Sequence, residues 1–313
     1  MVDGGAAQCV LVSGESGAGK TEAAKQLMGF VAIISGGGAT LEATKRQLLN
    51  SNPVLEAFGN AMTVRNDNSS RFGKYMQLAF DFKGDVAGGT VSNYLLEKSR
   101  IVGHSPGERG FHIFYQLCAG AAAAQRGALE LGGARDYAFL ANEDAKVPGV
   151  DDAEEFAAWR AAARSVLSDS GYDDGDELEV LKLLAFVLAL GEVDFEDRGD
   201  AAAAPKDAEA VARAARLAGL PPAALQKALT ARTLSKRGGR SSVQVATLDA
   251  EGGAGFGSST PRDAPRRQAA AARLTAATLA KETYKRLFDW LVAQINGAIA
   301  PAGKETSIGI LDI

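Results

Sequence analysis

Near the N-terminus the period of the apolar positions changes twice. Gln8 to Ser13 has the character of a short buried strand, and Thr21 to Ile34 switches to helical spacing through Ala24, Leu27, Met28 and Val31. A glycine-rich stretch separates them, so the order is strand, loop, helix. Gly36-Gly37-Gly38 breaks the chain, Leu41 to Asn50 resumes helical character, and Pro53 is placed to open another short helix through Phe58. Tyr75 to Phe82 alternates Met76, Leu78 and Phe80 on one face, as a strand does. After turns at Lys83-Gly84-Asp85 and Gly88-Gly89, Thr90 to Leu96 is its expected antiparallel partner.

Phe111 to Ala124 is helical, and the section to about Ala231 is helix-rich, with Asp151 to Leu167 and Glu177 to Leu190 the clearest segments. The acidic run Asp169 to Glu179 suits the first turn of the helix that follows it. Ser235 to Pro265, rich in glycine, serine and charge, is expected to be an exposed loop. Leu274 to Ile299 returns to helical periodicity, and Thr306 to Asp312 is the last strand. A loop-bearing strand and a terminal strand, both ending at polar residues, predict a parallel nucleotide-binding sheet.

The chain has 313 residues, 46% of them hydrophobic, which supports a substantial core. A formal charge of −4 argues against nucleic acid or an anionic membrane surface as a partner, since both call for a basic face. The longest apolar stretch, Val180 to Leu190, is interrupted by Lys182 and is too short to span a bilayer. Cys9 and Cys118 have no metal-ligand or disulfide spacing and are expected to be two buried thiols in a reducing compartment. His104 and His112 are too few and too isolated for a zinc site. No signal peptide precedes the first strand, and the apolar ending Ile310-Leu311-Asp312-Ile313 is expected to mark a chain cut within a domain.

The candidate chemistry begins at Gly14-Glu15-Ser16-Gly17-Ala18-Gly19-Lys20-Thr21, which satisfies G-x-x-x-x-G-K-S/T. Its glycines let backbone amides approach phosphate oxygens without obstruction from side chains. Lys20 supplies a point charge to the β and γ phosphates, Thr21 offers a hydroxyl to Mg²⁺, and the helix that follows aims its positive end at the site. The motif alone leaves the phosphate chemistry open. A second polar cluster, Asn66-Asp67-Asn68-Ser69-Ser70-Arg71-Phe72-Gly73-Lys74, sits between a helix and a strand, where a loop could close over a nucleotide.

Together, in this order, these two segments resemble the phosphate loop and switch I of myosin motor domains. Ser51 to Ala61, Asn93 to Arg100, Phe111 to Leu117, Leu188 to Phe195 and Leu279 to Val292 are also similar to myosin sequence, closest in flavour to class I. The resemblance implies that Gly14 to Thr21 hold the phosphates of ATP and that Thr21 and Ser70 ligate Mg²⁺. It also implies that Asn66 and Asn68 belong to switch I and that Ser69 lies near the attacking water. Arg71 would pair with a switch II glutamate. Only the first two residues of D-I-x-G-F-E, Asp312 and Ile313, are in the chain, so Asp312 is expected beside the Mg²⁺ shell and Arg71 without its partner.

The fold class expected is α/β, a P-loop NTPase core with a large helical insertion. Residues 1–100 would form the phosphate-loop and switch I core, 101–305 a helix-rich upper subdomain with its exposed loop at about 235–265, and 306–313 the switch II strand. The implied partner is the actin filament, with Arg232, Lys236, Arg237 and Arg240 near a family actin-contact loop and Ser258, Ser259 and Thr260 as modification candidates. The implied location is the cytoplasm, in association with the cytoskeleton. A degenerate motor that only holds nucleotide is the alternative; a small-molecule kinase is a third class, which the Asn66–Lys74 cluster disfavours. Four neighbouring strands are expected, with the loop-bearing strand at an unpaired edge. The isolated chain should therefore be poorly soluble or partly unfolded, and a sharp, reversible thermal transition would count against that.

Overall fold

The computed structural model describes residues 7–34, 39–140, 146–168, 171–198, 201–230, 232–235, 242–245, 264–301 and 306–312. Strand β1 (Gln8–Val12) leads through the glycine loop into α1 (Lys20–Ile34), and α2 (Ala39–Gly59) runs straight into a hairpin, β2 (Asn60–Thr63) and β3 (Asn66–Ser70). Strands β4 (Gly73–Phe80) and β5 (Val86–Tyr94) follow, then helices α3 (His112–Gly120), α4 (Ala123–Ala128), α5 (Asp152–Leu167) and α6 (Asp174–Gly191). Strands β6 (Phe195–Arg198) and β7 (Ala201–Pro205), helices α7 (Ala208–Leu217) and α8 (Pro222–Thr230), and strands β8 (Arg232–Ser235) and β9 (Ser242–Val245) come next. The long α9 (Ala264–Ile299) precedes the last strand, β10 (Thr306–Asp312).

The principal sheet has the order β1-β10-β4-β5. The four-stranded expectation, with β1 at the edge, agrees with this arrangement. The directions are mixed: β1 and β10 are parallel and β4 and β5 antiparallel, both as expected, whereas the parallel sheet does not continue past β10, which pairs antiparallel with β4. The direction of β5 is set locally. Asp81 closes a tight turn after β4, its backbone N–H donating to Asp85 O (2.9 Å) and its Oδ1 accepting from Lys83 N (2.8 Å) and Asp85 N (3.0 Å). A connection this short can join only antiparallel neighbours. The same turn ends β4 at Phe80, so Phe82 lies outside the strand and is exposed.

Three further expectations change. Pro53 lies inside α2 rather than opening a helix, and the lost backbone donor is tolerated because the flanking Val54, Leu55 and Phe58 are buried. Phe58 packs 5.9 Å from the ring of Trp159 on α5, which itself stacks on Phe156 at 5.5 Å. Asn66 to Ser70, read as a loop, is strand β3, paired with β2. Cys9 is exposed, because β1 is an edge strand whose residues are largely uncovered, whereas Cys118 on α3 is buried.

The chain divides into two interleaved units. The first comprises Met1–Ala123, Asn142–Glu179 and Lys285–Ile313, and holds the sheet. In it Asp151 caps α5 by accepting from Ala153 N (2.8 Å) and Glu154 N (3.4 Å), and the buried Glu177 carboxylate binds Arg160 (2.6 Å) and Arg164 (3.1 Å). The second unit, Ala124–Ala141 and Val180–Tyr284, is the helix-rich part. There β6 pairs with β7, β8 pairs with β9, and Asp197 accepts from the backbone N–H of Ala269 at 2.8 Å. This differs from the serial division read from the sequence, since both units draw on separated segments. Strand β9 also falls within the stretch expected to be loop. Lys236, Arg237, Arg240, Ser258, Ser259 and Thr260 lie outside the described residues.

Among the described residues no helix is long and apolar enough to cross a membrane. Gly88 on β5 shows how tightly the sheet is covered: a Cβ there would lie 2.5 Å from Pro301 Cα and 2.7 Å from Ile299 O. Both are backbone atoms that cannot rotate away. Gly88→Ala should therefore destabilise the first unit by about 1–3 kcal/mol, read as a lowered denaturation midpoint; an unchanged midpoint would show that the α9–β10 connection yields freely.

Candidate functional site: a phosphate-loop cleft

The register of the sheet assembles the site. Val12, the last residue of β1, sits beside Asp312, and on its other side Asp312 faces Lys74 of β4. The glycine loop thus begins where Asp312 ends. Gly17 and Gly19 adopt φ of 82° and 81°, which favours glycine, and helix α1 starts at Lys20 with its free amides directed back at the loop. Lys20 Nζ donates to Gly14 O (2.7 Å) and Glu15 O (2.9 Å), curling the loop around its own ammonium.

Across from the loop stands β3, and the two enclose a cleft of about 410 Å³. Of the expected residues, Gly14, Ser16, Gly17, Gly19, Lys20, Thr21, Asn66, Asn68, Ser69, Ser70, Arg71 and Asp312 line it. Glu15 and Ala18 do not; they shape the loop, Ala18 N donating to Glu15 O at 3.2 Å. Glu22, Lys25 and Phe72 line it as well. Asp312 and Ser69 are buried.

The polar residues of β3 are held by their neighbours. Thr63 Oγ1 donates to Asn66 O and accepts from Asn66 N, each at 3.1 Å, and Asn66 Oδ1 accepts from Asn68 N at 3.0 Å. Asn68 Oδ1 accepts from Asn60 Nδ2 (2.9 Å) and from His112 Nε2 (3.2 Å). Burial pushes the His112 imidazole down to about 3, with the nearby Arg109 charge acting in the same direction, so the ring stays neutral.

Arg71, expected to stand without a partner, has one. Its Nε donates to Glu97 Oε2 at 2.5 Å and its Nη1 to Ser69 Oγ at 3.2 Å. Burial acts to raise the Glu97 carboxyl, but hydrogen bonds from Arg100 and Arg71 outweigh it and hold the group below its ordinary value. Lys74 was also missed: it is buried, and its Nζ donates to Asn52 Oδ1 at 2.8 Å. Burial lowers its pKa, while the Glu56 and Asp312 carboxylates oppose that shift. The alternation along β4 carries a signal for it, since Lys74 is in phase with Met76 and Leu78. Lys25 Nζ lies 3.0 Å from one Glu56 oxygen and donates to the other at 3.2 Å. Among the described residues no cluster of three or more His, Cys, Asp or Glu could hold a metal by itself.

A strand, a glycine loop, a helix and an adjacent parallel strand ending in an aspartate at the same cleft define a P-loop NTPase fold. The chain belongs to the myosin head (motor domain) family, whose pattern matches residues 1–313. It is similar to unconventional myosin-Ia of Gallus gallus, with 45% identity over 98% of this chain and 28% of that protein. Its identity to unconventional myosin-Ia of Rattus norvegicus is 44%, covering 98% of the chain and 34% of the relative. For unconventional myosin-Ib of Homo sapiens the figures are 44%, 98% and 25%. The chain therefore spans about a quarter to a third of the length of these relatives.

His112 gives the site a pH signature. Below its ordinary value of 6.5 the unfolded chain binds a proton that the folded chain refuses down to about 3. Stability should fall as pH drops through that window, and His112→Gln should flatten the slope there. Denaturant titrations between pH 7 and 4 would measure it; equal slopes in the two proteins would rule the buried neutral histidine out.

Proposed function

We propose that the chain forms the phosphate-binding part of the Mg-ATP site of an actin-based motor. The observation that carries this reading is the facing of the Gly14–Thr21 loop and the Ser69-Ser70-Arg71 strand across one cleft, with Asp312 at its floor. The cleft suits a magnesium-bound triphosphate chemically. Its hard oxygen donors include the Thr21 and Ser70 hydroxyls and the Asp312 carboxylate, beside the ammonium of Lys20 and the amides at the start of α1.

In this reading Gly14 to Thr21 wrap the β and γ phosphates, and Lys20 exchanges its bonds to the loop carbonyls for phosphate oxygens. Thr21, Ser70 and Asp312 are the residues that would hold Mg²⁺. The ion, when bound, neutralises charge developing on the phosphates. Asn66 and Asn68 contribute amides along the phosphate chain. Ser69 orients the attacking water, and Arg71 fixes Ser69 and adds positive charge at the γ-phosphate side. The residues act by positioning and charge stabilisation.

The kinship with unconventional myosins supports coupling of hydrolysis to actin filaments in the protein that carries this chain, with a location at the cytoskeleton. That protein should hydrolyse ATP in a magnesium-dependent manner, faster in the presence of actin filaments. Lys20→Ala should weaken Mg-nucleotide binding at least about tenfold, the expected cost of losing a charge-assisted hydrogen bond. Phosphate release reads the hydrolysis, and equilibrium titration with a fluorescent adenine nucleotide reads the binding. Unaltered affinity in Lys20→Ala would sink the phosphate assignment, and hydrolysis indifferent to actin would sink the motor.

A further inference from the structure

One short segment, residues 97–109, ties the β2–β3 hairpin, whose second strand faces the phosphate loop, at two places. At the exit of the β2–β3 hairpin, Glu97 N donates to Arg71 O at 2.9 Å, and the Glu97 carboxylate accepts from Arg71 Nε at 2.5 Å. Toward the hairpin turn, Arg109 N donates to Met62 O of β2 at 3.0 Å, and Glu108 Oε1 accepts from Val64 N at 3.4 Å. Arg100 joins the two places: its Nε donates to Glu97 Oε2 (2.9 Å), and its Nη1 donates to Glu108 Oε2 (3.0 Å) and Arg109 O (3.1 Å). The charges alternate along Arg71, Glu97, Arg100 and Glu108, so each carboxylate lies between or beside cations.

Arg100 is the fixed member, with only 7% of its side chain exposed. A buried guanidinium has few alternative acceptors, so it holds the Glu97 carboxylate in one orientation. That orientation presents Oε2 to Arg71, whose other end reaches Ser69 Oγ inside the cleft. The path from Arg100 to a hydroxyl at the candidate phosphate site passes through one carboxylate and one guanidinium.

We propose that Glu97 is a positioning residue of the phosphate site, setting through Arg71 the orientation of Ser69 and the distance of β3 from the Gly14–Thr21 loop. The role at nucleotide rests on the reading given above; the restraint on β3 does not. A lost carboxylate charge frees the Arg71 side chain, which then leaves Ser69 Oγ without its donor, while the Glu97 and Arg71 backbones remain bonded.

Hydrogen exchange of the amides of residues 66–71, measured without nucleotide in wild type, Glu97→Gln, Arg71→Ala and the double variant, tests the restraint. Exchange in Glu97→Gln should rise about tenfold, and the substitution should add little once Arg71 is alanine. Glu97→Asp, which keeps the charge, should restore most of the protection. The same proteins titrated with Mg²⁺ and a fluorescent adenine nucleotide should show about tenfold weaker binding in Glu97→Gln, again not additive with Arg71→Ala. Unchanged exchange in Glu97→Gln overturns the inference. So does an equally large effect in the Arg71→Ala background, which is what a purely structural role beside Arg100 would give. If exchange follows the expected pattern but wild type binds no nucleotide, the functional reading fails and the restraint on β3 stands.

Discussion

The parallel pairing of β1 with β10 is the contact on which the site depends. Parallel neighbours cannot be joined by a tight turn, so every other element of the chain lies in the connection between them. Their register puts Val12 beside Asp312, and the antiparallel pairing of β10 with β4 puts Lys74 on the other side of that aspartate. Because β4 follows β3 with only Arg71 and Phe72 between them, the same register also delivers the Asn66–Ser70 strand to the mouth of the glycine loop. A shift of one residue would turn Asp312 to the opposite face of the sheet and dissolve the cleft.

Much of this was legible in the amino-acid order. The glycine loop, the helix after it and the final strand announce themselves by period and by residues whose roles are local. The four strands of the principal sheet were likewise visible, as were the antiparallel β4–β5 pair and the parallel β1–β10 pair, but not the antiparallel pairing of β10 with β4. What escaped was set by partners distant in sequence. Asn66 to Ser70 has the composition of a turn and is a strand only because Asn60 to Thr63 pairs with it. The strand read as reaching Leu96 stops at Tyr94 because Leu95 takes a φ of 54°. Glu97 carried no signal as a partner for Arg71: its spacing to Arg100 points to a local helical pair, and the arginine it also serves lies on a different element.

Around the cleft, the first unit carries several buried or half-buried cations, each with its own arrangement for solvation. Lys74 has the Asn52 amide and the field of Glu56 and Asp312. Arg109, fully buried, lies 3.8 Å from the centre of the Tyr115 ring and bonds Asp152 at 2.8 Å. Arg100 has two carboxylates and a carbonyl. Such groups add little net stability, since desolvation offsets most of their attraction. Their value lies in direction: each permits few geometries, and together they fix where β3, β4 and α3 stand relative to the loop.

The span between the paired strands also bears on how the chain is made. Gln8 finds its neighbour, Ile308, about 300 residues later, so the loop closed by that ladder is nearly as long as the chain. During synthesis this ladder cannot form until β10 has followed β1. Throughout that interval the backbone donors and acceptors of β1 that β10 will take are open to another extended segment. The pairing that completes the phosphate cleft thus waits on a partner made long after β1, and protection of that nascent edge becomes a requirement for reaching the folded state at all.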